Sequence, residues 1–271
     1  MKRKLNTTSK YPKQKLPKRE IEYSYMNESL IEQCEYENDK KHGTFKKWFN
    51  NGKLSKVIQY KNDKKEGKYE EYYNDGTKLI EGYYLKDKKY GTFKKWFSNG
   101  KLSEEIQYKN DKKEGKYEGY YNNGTKLIEG YFLKDIKHGT FKTWFNNGKL
   151  LEEIQYKNDK KYGQFKNFHV NGVIWLEGFY KNDKKNGYFS EFYDNGNKWT
   201  ECHYKNDNLD GEFKRYYENG KMSSQYQYKN NEREGNCKEW DNKGNIFIEL
   251  HFKNDKIINN EEGDSDLESE N

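Results

Sequence analysis

A pattern of 24 residues recurs nine times without insertion or deletion, beginning at Gly43, Gly67, Gly91, Gly115, Gly139, Gly163, Gly187, Gly211 and Gly235. A second glycine keeps its own phase in every copy, from Gly52 in the first to Gly244 in the last. A fixed period in this range marks a repeat array, in which no unit buries its apolar surface alone and stacked neighbours complete one another. The chain is therefore constrained to an architecture made of one small unit used over and over.

The unit reads as β. Thr44 to Phe49 is short and aromatic and runs into Asn50-Asn51-Gly52, where Asn-Gly supplies the positive φ of a tight hairpin turn. Lys53 to Lys61 is predicted to return with Leu54, Ile58 and Tyr60 on one face and Val57 and Gln59 on the other. Asn62 to Gly67 then forms a polar turn into the next unit. A helical repeat is excluded because the two glycines would interrupt each helix near its middle.

Three aromatic columns recur down the copies. One starts at Phe45 and Tyr69, a second at Trp48 and Tyr72, a third at Tyr60 and Tyr84. Equivalent strands lie side by side, so each column stacks on itself, and aromatic cross-strand pairs add roughly 0.2–1 kcal/mol apiece. Units beginning at Gly43, Gly91 and Gly139 share one wording, while those at Gly67 and Gly115 share another, an alternation that reads as duplication of a two-unit block. The copies diverge from Gly163 onward, where Val170, Trp175, Trp199 and His203 break the earlier pattern.

Composition fits a thin structure. Charged residues make up 36% of the chain and hydrophobic residues only 31%, yet aromatics reach 17%, which disordered chains lack. The modest apolar content sits in rings that tolerate a half-wet surface. Three dispersed cysteines, Cys34, Cys202 and Cys237, argue for a reducing compartment rather than a disulfide framework or structural zinc. With no apolar run of membrane-spanning length and no secretory leader, a cytoplasmic location is expected.

Four segments follow. Residues 1–20 are a basic arm expected to be unstructured, with eight Lys and Arg against Glu20 alone. Residues 21–42 keep a faded period and read as an atypical capping unit, with Leu30, Cys34 and Tyr36 in the columns of Leu54, Ile58 and Tyr60. Residues 43–256 are the nine repeats. Residues 257–271 form an acidic tail with six Asp and Glu and no Lys or Arg, also expected to be unstructured.

Nothing in the pattern points to catalysis. The recurring acids Glu81, Glu105, Glu129, Glu153, Glu177, Glu201 and Glu249 occupy one repeated environment, whereas a catalytic carboxylate pair needs two different ones. They read instead as a ladder facing lysines on neighbouring strands. His42, His138, His169, His203 and His251 are too dispersed to ligate a metal together. No cofactor site is expected. A ladder of lysine pairs, Lys64-Lys65, Lys88-Lys89, Lys112-Lys113, Lys160-Lys161 and Lys184-Lys185, falls in equivalent turns and should line one edge. Charged turns keep a β array soluble, and the same ladder is a candidate surface for anionic lipid headgroups. Asp in the same turns dilutes the field and argues against nucleic acid.

The unit, with its Gly-x-[Phe/Tyr]-x-x-[Trp/Tyr]-[Phe/Tyr]-x-Asn-Gly core and its [Tyr/Phe]-Lys-Asn-Asp-x-x-x-Gly turn, resembles the MORN repeat. It is most similar to the bacterial variant of YwqK-type antitoxin-like proteins. The resemblance covers Gly43 to Lys256 and implies hairpins stacked into an elongated, single-layer antiparallel β-meander. It also implies scaffolding, membrane-associated or partner-binding roles, or neutralisation of a toxin, without catalytic residues. The expectation is a non-enzymatic module for protein–protein interaction, with anionic-membrane (phospholipid) association through the basic arm and the lysine ladder, and antitoxin-like action, as alternatives. Its candidate partner surface is Trp175, Trp199 and His203. The partner itself and the oligomeric state stay open.

Overall fold

The computed structural model describes residues 18–26 and 29–258. Most of the basic arm and of the acidic tail lies outside the described residues, and the first strand, Arg19–Met26, begins within the span read as arm. Every regular element is a strand, and the strand pairings are antiparallel. The chain divides into two compact units, residues 1–112 and 113–271, each a single-layer meander of hairpins.

One hairpin explains the rest. Lys40–Trp48 pairs with Leu54–Lys61 across a loop in which the Gly52 amide donates to the Phe49 carbonyl at 2.9 Å. The Phe49 amide donates to the Lys53 carbonyl at 2.8 Å, and Gly52 sits at φ 79°. This is a three-residue hairpin loop closing in a glycine bulge, with the positive φ at the glycine. The two-residue turn lies between repeats. Asn62 (φ 50°) and Asp63 (φ 66°) are both left-handed, the requirement of a type I′ turn that Asn and Asp meet at least cost. The same geometry recurs from Asn38-Asp39 to Asn254-Asp255. The predicted six-residue turn is thus two residues long, and Lys64 already belongs to the next strand, Lys64–Tyr72.

The phase glycine Gly67 lies inside that strand. Pairing jumps from Tyr60↔Lys65 to Ile58↔Tyr69, leaving Gly67 in a bulge at φ 125°, where an added Cβ would fall 2.7 Å from the Gln59 Cβ. A second bulge leaves Ser55 unpaired between Lys47↔Lys56 and Trp48↔Leu54. It turns Leu54 onto the face of Trp48 and away from Ile58 and Tyr60, which corrects the predicted grouping of those three.

The two faces differ. The first and third aromatic columns interleave on a ring face. In the first unit Tyr69, Tyr84, Phe93 and Tyr108 follow one another edge-to-face at 5.2, 5.6 and 5.2 Å between centroids. In the second unit Phe132, Phe141 and Tyr156 repeat this at 5.6 and 5.2 Å, as do Tyr180, Phe189 and Tyr204 at 5.7 and 5.2 Å. Most of the buried hydrophobic residues, among them Ile58, Phe93, Ile106, Phe141, Ile154 and Phe189, belong to this face. The Trp48 column lies on the opposite, charged face.

The two-unit alternation has a packing cause. Ile58, Ile106 and Ile154 alternate down one column with Gly82, Gly130 and Gly178. At those glycines an added Cβ would lie 2.3 to 2.4 Å from ring atoms of Phe93, Phe141 and Phe189. Each glycine therefore makes the space that the next repeat's phenylalanine fills.

The predicted cap is a hairpin out of register. Where the repeats set Phe45 against Ile58, the first pair sets Glu22 against Cys34 and Ile21 against Glu35. A slip of one residue exchanges the faces of a strand, so Glu20 and Glu22 lie on the ring face while Ile21 and Tyr23 turn outward.

Candidate interaction surface

The inter-repeat turns organise the surface. The Asp63 side chain accepts a 2.8 Å hydrogen bond from the Lys41 amide, and the Asp63 amide donates to the Lys41 carbonyl at 2.9 Å. The clasp recurs within each unit, through Asp87 on Lys65 and Asp111 on Lys89 in the first and through Asp135, Asp159, Asp183 and Asp207 in the second. Asn231 does the same for Leu209. These carboxylates, read from sequence only as diluting the field, tie each turn to the one before it.

The lysine ladder splits in two. Lys64, Lys88, Lys112, Lys160 and Lys184 are exposed. Lys65, Lys89, Lys113, Lys161 and Lys185 are half-buried on the ring face, their ammonium groups over the aromatic columns. Lys89 Nζ lies 5.1 Å from the centroid of Phe93 and 4.8 Å from that of Tyr108, and Lys185 Nζ lies 5.2 Å from Phe189 and 4.7 Å from Tyr204. At such distances the ring quadrupole attracts the cation. Only the first lysine of each pair faces open solvent. The prediction that both sit in the turn is corrected, because both lie in strands.

On the charged face the recurring acids meet lysines, as at Lys94–Glu105 (3.2 Å), Lys142–Glu153 (3.5 Å) and Lys238–Glu249 (2.9 Å). Where two acids stand opposite one another, Glu118↔Glu129, the Lys126 ammonium bridges them at 2.7 and 2.8 Å. Burial alone would raise the Glu118 pKa, but hydrogen bonds from Lys126 and Lys116 draw it down to about 2. The Lys126 pKa is raised in turn, first by its hydrogen bond to Glu118.

A further set of clasps escaped the sequence reading. The hydroxyls of Tyr73 and Tyr121 donate to the carbonyls of Trp96 and Trp144 at 2.9 and 2.8 Å, and Tyr193 and Tyr217 repeat the contact on Tyr216 and Trp240. Phe49, Phe97 and Phe145 occupy the same position in alternate repeats. That tyrosine–phenylalanine alternation was the signal available.

Trp175 and Trp199 share the bulge column of Ser55, one repeat apart. Trp175 is half-buried with its ring 6.4 Å from that of His169, and Trp199 is 40% exposed with its ring 6.2 Å from Tyr193. His203 is not brought to them. Four residues beyond Trp199 along the same strand, its Nδ1–H donates to the Asp210 carbonyl at 2.7 Å. Its ring stands edge-on to Tyr188 at 5.0 Å between centroids, and Tyr188 is 75% exposed. Tyr188 is the neighbour that the sequence reading missed.

Among the described residues no group of three His, Cys, Asp or Glu is placed to hold a metal ion. Burial pushes the Cys202 thiol up to about 11, so it carries little thiolate at neutral pH. No helix of the described residues is long and apolar enough to cross a membrane.

Fold and surface together define a repeat protein of β-hairpins, with rings packed on one face and charge displayed on the other. Six segments, residues 41–62, 89–110, 137–158, 185–206, 209–230 and 233–254, match the MORN repeat variant. Over these six segments the chain is thus similar to the MORN repeat. The matched residues leave out the hairpins that contain Gly82, Gly130 and Gly178. No curated protein matches the chain in sequence. Among solved structures it is similar, at 12% identity, to chains in "Crystal Structure of TcdB2-TccC3-Cdc42" (TM-score 0.18) and "Crystal Structure of TcdB2-TccC3" (TM-score 0.17). The similarity covers 85% of this chain and 14% and 15% of those chains.

Proposed function

We propose that this chain is a non-enzymatic interaction module that holds a protein partner on the second unit. MORN repeats commonly mediate protein or membrane interactions. The observation that carries the protein reading is the exposure of large rings on the second unit, two of them, Tyr188 and Phe179, on the face otherwise neutralised by ion pairs. Tyr188, Phe179 and Trp199 are open to solvent within two successive repeats, and aromatic residues of this kind anchor protein interfaces. The lysine–glutamate ladder around them supplies a polar rim. The test is capture of a partner from native lysate at high salt by the full chain and by a Tyr188→Ala, Trp199→Ala variant. Loss of the partner with an unchanged melting temperature supports the reading. Equal capture by both refutes it.

Association with an anionic membrane is the second reading, supported by the exposed lysines Lys64, Lys88, Lys112, Lys160 and Lys184. Each basic residue near such a surface adds about 1 kcal/mol, and the attraction is screened by salt. Cosedimentation with phosphatidylserine vesicles that vanishes at high salt and is absent with phosphatidylcholine would support it. Indifference to lipid charge would remove it.

A further inference from the structure

The strand Arg19–Met26 gives the first unit a long β-edge. One side pairs with Ser29–Glu37, and among the described residues no strand covers the other. From Glu20 to Met26 this strand carries no lysine or proline, two of the devices that blunt an edge, and its acids Glu20 and Glu22 lie on the ring face, away from Tyr23. Its register slip turns Ile21, Tyr23 and Tyr25 onto a single face, where they are 50%, 51% and 62% exposed.

We propose that this edge pairs with the same edge of a second copy of the chain, giving an isologous, antiparallel two-stranded contact centred on Tyr23. The occupant follows from the strand's self-complementarity. With Tyr23 on the two-fold axis, Ile21 of each copy faces Tyr25 of the other, so apolar side chains meet at all three positions of that face. On the other face Glu22 meets Ser24 and Glu20 meets Met26, so no acid opposes an acid. Moving the axis to Glu22 sets Glu22 against itself. Moving it to Ser24 removes Ile21 from the ladder. A one-residue slip places Tyr23 against Glu22 and exchanges the faces. The contact extends the hairpin meander of each first unit by the same antiparallel pairing that builds it, and a self-complementary patch of this kind closes as a two-fold dimer. One strand pair is a small interface, so the dimer is concentration-dependent.

The experiment is sedimentation velocity on the full chain over a wide concentration series. The wild type is expected to convert reversibly from monomer to dimer. Tyr23→Lys and Tyr23→Glu, each setting like charges against each other at the axis, are expected to weaken self-association by at least about tenfold. Mixing the two variants restores the dimer, because the substituted side chains then face one another with opposite charge. Tyr23 is half-exposed in the monomer, so unchanged circular dichroism of the variants shows that the fold is intact. A wild type that stays monomeric throughout overturns the proposal, which is also the outcome if residues 1–17 cover the edge in the same chain. Variants that dimerise as well as the wild type, or a mixture no tighter than either alone, overturn it too.

Discussion

Gly82→Ala tests the packing account most directly, because local and tertiary effects have opposite signs. Gly82 does not adopt a positive φ, so in isolation alanine should stabilise the strand by about 0.4–1 kcal/mol through a less disordered unfolded state. In the fold, the new Cβ would lie 2.4 Å from two ring carbons of Phe93 and 2.6 Å from a third. Carbon contacts settle at about 3.5–4.0 Å, so the ring must retreat by more than about 1 Å. Phe93 is 4% exposed and packed edge-to-face between Tyr84 and Tyr108, so a retreat of its ring disturbs both contacts. Overpacking of this kind costs about 1–3 kcal/mol, so the net effect is destabilisation. Phe93→Ala alone should cost about 3–5 kcal/mol. In that background Gly82→Ala has no ring to strike and should be neutral or stabilising. Urea denaturation of the four proteins closes a double-mutant cycle, with an expected coupling of about 1–3 kcal/mol. A Gly82→Ala chain more stable than wild type, or an equal cost in both backgrounds, would show that the glycine does not make room for the phenylalanine.

Three further outcomes follow from the clasps and ion pairs. Asp135→Gly keeps the left-handed turn but removes the acceptor for the Lys113 amide, and should lower stability by about 0.5–1.5 kcal/mol by denaturant titration. Asp135→Asn should stay within about 0.5 kcal/mol of wild type, since Asn231 makes the same contact naturally. Tyr121→Phe removes one hydrogen bond to Trp144 and should cost about 0.5–1.5 kcal/mol, because phenylalanine already fills this position in the next repeat. Glu118 has a folded pKa of about 2, below its unfolded value of about 4.3. Its contribution, on the order of 2 kcal/mol, is therefore present above the unfolded pKa and lost as pH falls through the folded one. Melting temperatures recorded from neutral to strongly acid pH should show this loss, and Glu118→Gln should reduce it.

The sequence by itself determined the repeat, its β character, the two turns per unit and the aromatic columns, though not that the first and third columns would interleave rather than each stack on itself. Those properties are local or strictly periodic: Gly52 and the Asn62-Asp63 pair specify backbone angles, and a 24-residue period places like residues on like strands. Only the tertiary structure decided which turn is the tight one and which face each column takes. A bulge of one residue, at Ser55, moves Leu54 across the sheet, and no alternation pattern shows where the ladder skips. The same holds for the capping hairpin, where one slipped residue turns Ile21 and Tyr23 outward. Partner selection among polar groups was equally hidden. Asp63 and Lys65 are polar turn-side residues in the sequence, yet one closes on a backbone amide 22 positions away and the other lies over two rings. Those choices depend on the distance between neighbouring hairpins, which composition does not carry. Trp175, Trp199 and His203 stand out in the sequence as departures from the repeat. The exposure of Trp199, the half-burial of Trp175 and the company of Tyr188 at His203 follow from where the bulge and the pleat point each side chain.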